Sequence, residues 1–366
     1  MFLRHTIVAF LFSLIVGDSI AQAPNIIKDS TPNKQILVFP VITRSIETSW
    51  SFGAATSATF HLYKSDTTTR TSNMQGLVLY SLKKQFVAAI NGTQYFKKER
   101  YILNEQLSYS SFPDKFWGIG ANTPDSAQEA YSFSQYYTYL HLMKHLGNHC
   151  FIGITYELQK LFKVSYEHNG LFDKENVAGR DPYFVSGAGL SFTFDNRKEA
   201  FSPDKGTFAQ FHFTHFGKIT GSDYDYSNVV LDYRKYYTIY KHQVLALQGY
   251  FFGDIGSEVP IRSLAALGGS NSMRGFYSGR YRDKNQLIFQ GEYRIPVYNR
   301  WGAAVFGSTG NVGNTFTDFS INDLKYAYGA GLRFAISKSE KLNLRLDYGI
   351  GQGNNSGLYF ILGEAF

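Results

Sequence analysis

Three histidines are spaced at intervals that could bind a metal ion. His141, His145 and His149 lie four residues apart, which would place their rings on one face of a helix. The run 131–146 is better read as a strand, however, and a strand would scatter the three rings. The sequence therefore predicts no metal site.

Other catalytic patterns are missing from the sequence. It contains no Gly-x-Ser-x-Gly nucleophile turn, and the glycine-rich run Gly349–Gly353 lacks the following helix that a dinucleotide site requires. A catalytic site assembled from several strands stays open as an alternative. We predict that the protein is not an enzyme and needs no cofactor.

One arginine lies in a glycine-rich turn that could bind a carboxylate. Arg274 is preceded by Gly268 and Gly269 and followed by Gly275 and Phe276. Glycine permits the backbone conformations that a loop needs in order to fold back on itself. A guanidinium can bind a carboxylate through two hydrogen bonds and stays charged. Arg274 could make such a contact, or it could lie in solvent as most loop arginines do.

The elements that must position this arginine are strands. In Leu342–Ile350, apolar residues alternate with polar ones that include Arg345 and Asp347. Because an arginine facing hydrocarbon costs about 2–4 kcal/mol at the bilayer centre, the polar face should point inward. Asp347, and Glu292 on an upstream strand, are therefore predicted to face the lumen, and they are the carboxylates that Arg274 could reach if its loop folds inward.

The same alternation recurs along the chain and predicts an all-β fold, a closed antiparallel transmembrane β-barrel. The predicted strands are 36–43, 47–62, 71–83, 85–97, 100–111, 131–146, 148–166, 182–195, 205–217, 225–238, 241–252, 286–298, 300–312, 325–337, 341–352 and 356–366. Their number, about sixteen, suits a barrel in which every backbone N–H and C=O is paired. An aromatic content of 17% with a mean hydropathy of −0.22 agrees with alternating faces. A soluble β-sandwich is the alternative.

The remaining segments divide the chain. The apolar run Thr6–Val16 follows a positive N-terminus and is too short for the roughly 20 residues of a spanning helix, so 1–21 is predicted as a signal peptide. Residues 22–35 are predicted as a short periplasmic tail and 36–366 as the barrel. Long connections at 112–130 and 253–285 could fill its interior.

Two bulk properties exclude other classes of protein. Cys150 is the only cysteine, so no intrachain disulfide is possible. The formal net charge is +7, but the lysines and arginines are scattered and no basic run is interleaved with aromatic residues. We predict no nucleic-acid partner.

Four segments, in order, resemble the bacterial surface antigen superfamily of outer-membrane barrels, which includes BamA- and TamA-type assembly factors and two-partner secretion translocators. They are a hairpin with Asp195, Arg197, Pro203 and Gly206, the loop Leu267–Phe276, the segment Glu292–Pro296 and the closing strand Leu358–Phe366. The resemblance covers about residues 182–366.

The resemblance implies that the lid loop, residues 253–285 between strands 11 and 12, folds into the barrel and that Arg274 pairs there with lumenal acids. Ser308 stands where the family usually has an aspartate. If that acid is a partner of the family's arginine, Asp347 or Glu292 must make the contact here.

The resemblance also implies a seam between the first and last strands that opens in the assembly factors. Pro40 and Gly363 lie at this seam. Because proline cannot donate to a ladder, Pro40 indicates either a labile seam or the start of a strand. Phe360, Leu362 and Phe366 are similar to the C-terminal sorting signal of outer-membrane barrels.

The implied function is assistance in inserting or translocating proteins at the outer membrane of a Gram-negative bacterium. Because few residues precede strand one, we expect a barrel without POTRA domains, dependent on separate periplasmic or lipoprotein subunits. Its other partners would be outer-membrane lipids and barrel clients. A passive or gated channel and a non-transporting barrel scaffold for a membrane complex are the alternatives.

Overall fold

Strands make up most of the protein in the computed structural model. It describes residues 34–63, 69, 72–197, 202–240, 242–337 and 342–366. The strands of this part are β1 Lys34–Ser45, β2 Ser49–Phe60, β3 Ser72–Ser81, β4 Phe86–Tyr95, β5 Tyr101–Phe116, β6 Glu129–Gly147, β7 Cys150–Ser165, β8 Tyr183–Asp195, β9 Gly206–Phe216, β10 Tyr226–Thr238, β11 Val244–Ile255, β12 Ala265–Leu267, β13 Tyr281–Asp283, β14 Asn285–Tyr298, β15 Trp301–Gly313, β16 Lys325–Ser337, β17 Leu342–Gly351 and β18 Ser356–Leu362. Single helical turns lie at Lys97–Glu99, Leu171–Lys174 (α1), Lys218–Thr220, Phe316–Asp318 and Ile321–Asp323.

Sixteen of these strands form one closed antiparallel barrel, as predicted. Each pairs with its neighbours in sequence, except that β11 pairs with β14 and β18 closes the barrel against β1. Strands β12 and β13 pair only with each other and lie within the connection 256–284. Within the described residues, no helix is long and apolar enough to cross a membrane.

Period-two alternation gives the barrel wall two different faces, as β10 illustrates. Asp232, Arg234 and Tyr236 are buried on the inner face, whereas Leu231 and Tyr233 are about half exposed on the outer face. Successive side chains of a strand point to opposite sides of the sheet, so one sequence pattern produces both surfaces. The outer face is apolar and aromatic and the inner face largely polar.

Two strand boundaries differ from the prediction by more than three residues. β5 continues to Phe116 rather than ending near 111, because Phe112 and Phe116 are buried on the inner face and outweigh the bond that Pro113 cannot donate. The predicted connection 112–130 is accordingly reduced to 117–128. β18 ends at Leu362 rather than continuing to 366, since Gly363 adopts a positive φ and turns the chain out of the ladder.

The interior is filled chiefly by the connection 256–284, here called loop 256–284. Its residues Val259, Ile261 and Leu264 pack with inner-face residues of β1 to β10. Further along, Met273 and Phe276 join a second apolar cluster with β6, β10, β11, β14, β15 and β16. The predicted signal peptide and most of the predicted tail lie outside the described residues.

Candidate functional site

The central part of loop 256–284 is a tight turn in which positive φ angles are concentrated. Gly268, Gly269 and Gly275 have φ values of +108°, +115° and +121°. The turn is closed by hydrogen bonds from the Gly269 N–H to the Phe276 carbonyl (3.1 Å) and from the Gly279 N–H to the Leu267 carbonyl (3.0 Å). Residues with a Cβ rarely adopt these backbone angles, so the glycines shape the turn that presents Arg274.

Arg274 lies inside the barrel between two carboxylates. Its Nη1 is 2.5 Å from Asp347 Oδ2 on β17, and its Nη2 is 2.7 Å from Glu292 Oε2 on β14. All three side chains are almost fully buried. The guanidinium carbon also lies 3.4 Å from the ring centre of Phe306 on β15. The fork of the guanidinium therefore joins two strands separated by β15 and β16.

These residues belong to a larger buried ionic cluster. Glu292 is also bound by Arg294 (2.8 Å), and Asp347 by Arg345 (2.9 Å) and Arg333. Arg333 Nε in turn lies 2.9 Å from a Glu364 oxygen. The cluster thus holds four arginines and three carboxylates, so each acid keeps an arginine partner even without Arg274. The alternating sequence had placed Arg345 on the inner face, but it did not predict which acids these arginines bind.

The turn rests directly on the backbone of β17. A Cβ on Gly275 would lie 2.6 Å from the Gly351 backbone nitrogen, and a Cβ on Gly351 would lie 2.8 Å from the Phe276 ring. A Cβ on Gly349 would meet the carbonyl of Arg274. Gly349 and Gly351, in the run that lacks the helix of a dinucleotide site, therefore form the flat surface against which the loop packs. The sequence analysis did not predict this role.

The Ser308 side chain is hydrogen-bonded to a neighbouring strand and not to the arginine. Its hydroxyl donates to the Ala327 carbonyl on the neighbouring strand at 3.3 Å. The aromatic ring of Phe306, two residues earlier on β15, faces the guanidinium instead. Asp347 and Glu292 supply the carboxylates that bind Arg274.

A further carboxylate, not predicted from sequence, fastens the loop to β5. Asp114 accepts hydrogen bonds from the Tyr277 hydroxyl (3.0 Å) and the Tyr131 hydroxyl (2.9 Å). Arg262 and Arg282 of the same loop lie 3.4 Å and 3.5 Å from it. Burial, and next the charge of Asp114, raise the pKa of the Tyr277 phenol, which keeps it a neutral donor.

The predicted seam lies between β1 and β18. β1 is paired with β2 along its whole length, including Pro40 opposite Ala54. In the described part of the chain its register with β18 consists of Arg44 opposite Phe360 alone, reinforced by a 2.8 Å hydrogen bond from the Thr43 hydroxyl to the Phe360 carbonyl. The barrel is therefore closed here by far less backbone pairing than at its other strand boundaries.

The C-terminal residues turn into the barrel instead of extending the seam. After Gly363, residues Glu364, Ala365 and Phe366 are buried. Phe366 packs with Tyr236 and Ala246 on the opposite wall, and Arg294 donates to its main-chain oxygen at 2.9 Å. Phe360 lies in β18, and Leu362 is its last residue. The part of β1 that precedes Val41, with Pro40, consequently has no described partner on this side.

The predicted hairpin motif forms a separate ionic turn between β8 and β9. Arg197 binds Asp195 through Nε (2.8 Å) and Nη2 (2.9 Å), and its guanidinium lies over Phe208. Pro203 is buried, and Gly206 has a φ of +114°. This turn lies at the end of the barrel opposite loop 256–284 and makes no described contact with Arg274.

The histidines are not brought together. His141 is buried on the inner face with its Nε2 2.6 Å from the Ser191 hydroxyl, whereas His145 and His149 are exposed near the β6–β7 turn. Among the residues that the structure describes, no three His, Cys, Asp or Glu side chains are grouped so that they could hold a metal ion.

Comparison with known proteins shows which family and which solved structures this barrel resembles. A family model described as the Omp85 superfamily domain matches residues 47–366. BamA from Haemophilus ducreyi lacking POTRA domains 1–3 is similar in structure, with a TM-score of 0.60, 17% identity, and coverage of 90% of this chain and 69% of that chain. CdiB from Acinetobacter baumannii gives 0.59, 11%, 92% and 60%, and CdiB from Escherichia coli gives 0.59, 11%, 92% and 63%. No curated protein sequence matches significantly.

Proposed function

The chain belongs to the Omp85 superfamily, and on this basis we propose that it assists the insertion or translocation of other proteins at the outer membrane. The family predicted from the loop and hairpin motifs is thereby confirmed. The chain spans 69% of the BamA chain and less than two thirds of either CdiB chain, so the activity of a whole relative is not assumed.

The observation that carries the proposal is the weak seam. A strand edge with unpaired N–H and C=O groups binds another strand readily. The part of β1 that precedes Val41 offers such an edge, because it has no described partner on the side where the chain turns inward after β18. A client strand could pair with this edge once the residual contact at Arg44 and Phe360 separates, and it would then lie at the boundary between the lumen and the lipid.

In this proposal loop 256–284 is the latch of the barrel. Arg274 connects the loop to β14 and β17 through buried carboxylates, and Asp114 connects it to β5. The latch keeps the inner wall in one arrangement while the seam is closed. Its release would let the seam strands move apart.

The apolar, aromatic outer face supports a location in the outer membrane of a Gram-negative bacterium. We propose that periplasmic or lipoprotein subunits deliver clients to the barrel. Affinity purification of the tagged chain from its own outer membrane in mild detergent tests this part, because such subunits should co-purify in fixed stoichiometry. Recovery of the barrel alone would contradict delivery by stable subunits.

The activity is tested by reconstituting the purified chain in liposomes and measuring protease-protected insertion of an unfolded barrel client. We expect faster insertion than into protein-free liposomes and into liposomes that hold an unrelated barrel. A passive channel would instead give steady conductance in a planar bilayer, rising after deletion of residues 268–280, and no acceleration of insertion. That pair of results would replace the proposal with the channel alternative.

A further inference from the structure

Loop 256–284 reaches both sides of the seam within four residues. On one side, the Gly275 N–H donates to the Tyr359 hydroxyl of β18 at 3.0 Å. On the other side, the Ser278 N–H donates to Glu47 Oε1, in the turn between β1 and β2, at 2.8 Å. The donors are backbone groups of one short turn, and the acceptors belong to the two strand pairs that meet at the seam.

From this juxtaposition we infer that the segment Gly275–Ser278 is a staple that holds the seam closed, with Glu47 and Tyr359 as its two attachment points. The inference deepens the proposed function and rests on it for the purpose of opening. It assigns closure mainly to the loop, because the described residues give β1 and β18 a single register pair, Arg44 and Phe360.

The segment between the two attachment points is itself held by hydrogen bonds. The Phe276 N–H is bonded to the Met273 carbonyl at 3.2 Å, and the Tyr359 hydroxyl lies 3.4 Å from the Phe276 carbonyl. Tyr277 is fixed to Asp114. Tyr359 is fully buried, so while the loop is in place water cannot replace the loop as the hydrogen-bond partner of its hydroxyl.

Glycine and a short apolar contact bring the two sides together at the staple. A Cβ on Gly357 of β18 would lie 2.6 Å from the Tyr359 hydroxyl and 2.8 Å from the Ile46 side chain. Ile46 precedes Glu47 in the β1–β2 turn. The absence of a side chain at Gly357 therefore lets the turn approach β18 where the staple crosses.

The staple predicts which substitutions open the seam. We would attach nitroxide labels at Phe52 of β2 and Tyr348 of β17, both exposed on the outer face, in a Cys150→Ser chain, and measure their distance distribution in nanodiscs. Losing one hydrogen bond of ordinary strength shifts a two-state equilibrium by roughly fivefold. Glu47→Ala should raise the long-distance population by about that factor, and Tyr359→Phe, which removes the hydroxyl's bonds to both Gly275 and Phe276, by at least as much.

Matched controls separate the staple from general loosening. Glu175→Ala removes a carboxylate that accepts a backbone N–H, that of Ile119 at 2.8 Å, away from the seam. Tyr226→Phe removes a buried hydroxyl that holds Ser263 of the same loop at 2.7 Å. Glu47→Gln keeps an oxygen acceptor and should resemble the wild type at acid pH, so the staple variants and this control are compared there. The inference would be overturned if the control variants raised the long-distance population as much as the staple variants do. It would also be overturned if neither Glu47→Ala nor Tyr359→Phe raised it.

A variant that strengthens the staple avoids dependence on destabilised chains. Glu47→Cys with Ser278→Cys, oxidised in the Cys150→Ser chain, should lower the long-distance population, and reductant should restore it. An unchanged population would contradict the staple. Failure of the proposed function gives a different result: the variants would open and close the seam as expected while client insertion into liposomes stayed at the protein-free rate.

Discussion

Arg274 and Asp347 form a buried ion pair that joins a loop to the wall of the barrel, with Nη1 2.5 Å from Oδ2. Neither residue depends on the other alone, since Arg274 also binds Glu292 and Asp347 also binds Arg345. The pair is thus one link in a network of four arginines and three carboxylates. Removing Asp347 should therefore affect the stability of the barrel differently from removing Arg274.

We expect Asp347→Asn to destabilise the barrel more than Arg274→Ala. Without Arg274, three arginines still face three carboxylates, and the loss is two hydrogen bonds, about 2 kcal/mol in total. Without the Asp347 charge, four arginines face two carboxylates, a buried imbalance that costs about 3–5 kcal/mol. Urea-induced unfolding in lipid vesicles gives both free energies, and the reverse order would contradict the network.

Arg274→Lys tests the fork of the guanidinium separately from its charge. A lysine ammonium cannot bind both carboxylates with the planar geometry of arginine. We expect the lysine variant to keep the stability of the barrel but to free the turn around Gly275. Limited proteolysis of loop 256–284 in intact vesicles measures this, and protection equal to the wild type would contradict a geometric requirement.

Gly349→Ala should displace the loop without unfolding the wall. Its methyl group would collide with the Arg274 carbonyl, and such overpacking costs about 1–3 kcal/mol. Gly307→Ala on β15 is the control, because a Cβ there meets nothing within 4 Å. Hydrogen exchange of the Gly275 amide should increase in the first variant only. Equal exchange in both would show that the loop does not rest on β17.

The staple should respond to pH through Glu47. Burial raises the pKa of its carboxyl, and Asp114 adds to this; Lys83, Lys115, Tyr277 and Tyr359 are the other ionisable groups around it. A raised pKa means that the closed state takes up a proton. Its contribution to closure is complete below the usual glutamate range and is lost as the pH rises through the raised value.

The measurement is the nitroxide distance distribution from about pH 4 to about pH 8, compared between the wild type and Glu47→Gln. We expect the closed population of the wild type to decline as the pH rises. The difference in closed population between the wild type and Glu47→Gln at each pH gives the part of this effect that is due to Glu47. A closed population of the wild type that increases with pH relative to Glu47→Gln would have the wrong sign.

The sequence predicted the barrel well because its signal is local. Period-two alternation, as in β10 and β17, identifies each strand and its inner face without knowledge of its neighbours. The pairing of Arg274 with Asp347 and Glu292 followed from that inner face together with family resemblance. β5 was cut short because the burial of Phe116 depends on residues far along the chain.

The contacts across the seam could not be predicted from the sequence for the same reason, because they join residues far apart in the chain. Glu47 and Ser278 are separated by 231 positions, and Gly275 and Tyr359 by 84. Each looks like an ordinary turn or strand residue in isolation. Only the closed register places the β1–β2 turn and β18 on either side of the loop. The inward turn after Gly363 depends likewise on Arg294 and Tyr236, which lie on the far wall.

The most direct test of the central claim is to lock the seam reversibly. Arg44→Cys and Phe360→Cys, which are register partners, would be combined with Cys150→Ser and oxidised, with Phe211→Cys and Leu231→Cys on β9 and β10 as the control pair. We expect oxidation to stop client insertion into liposomes, reductant to restore it, and the control pair to have no effect. Insertion at the wild-type rate with the seam verifiably locked would contradict the claim that clients enter between β1 and β18.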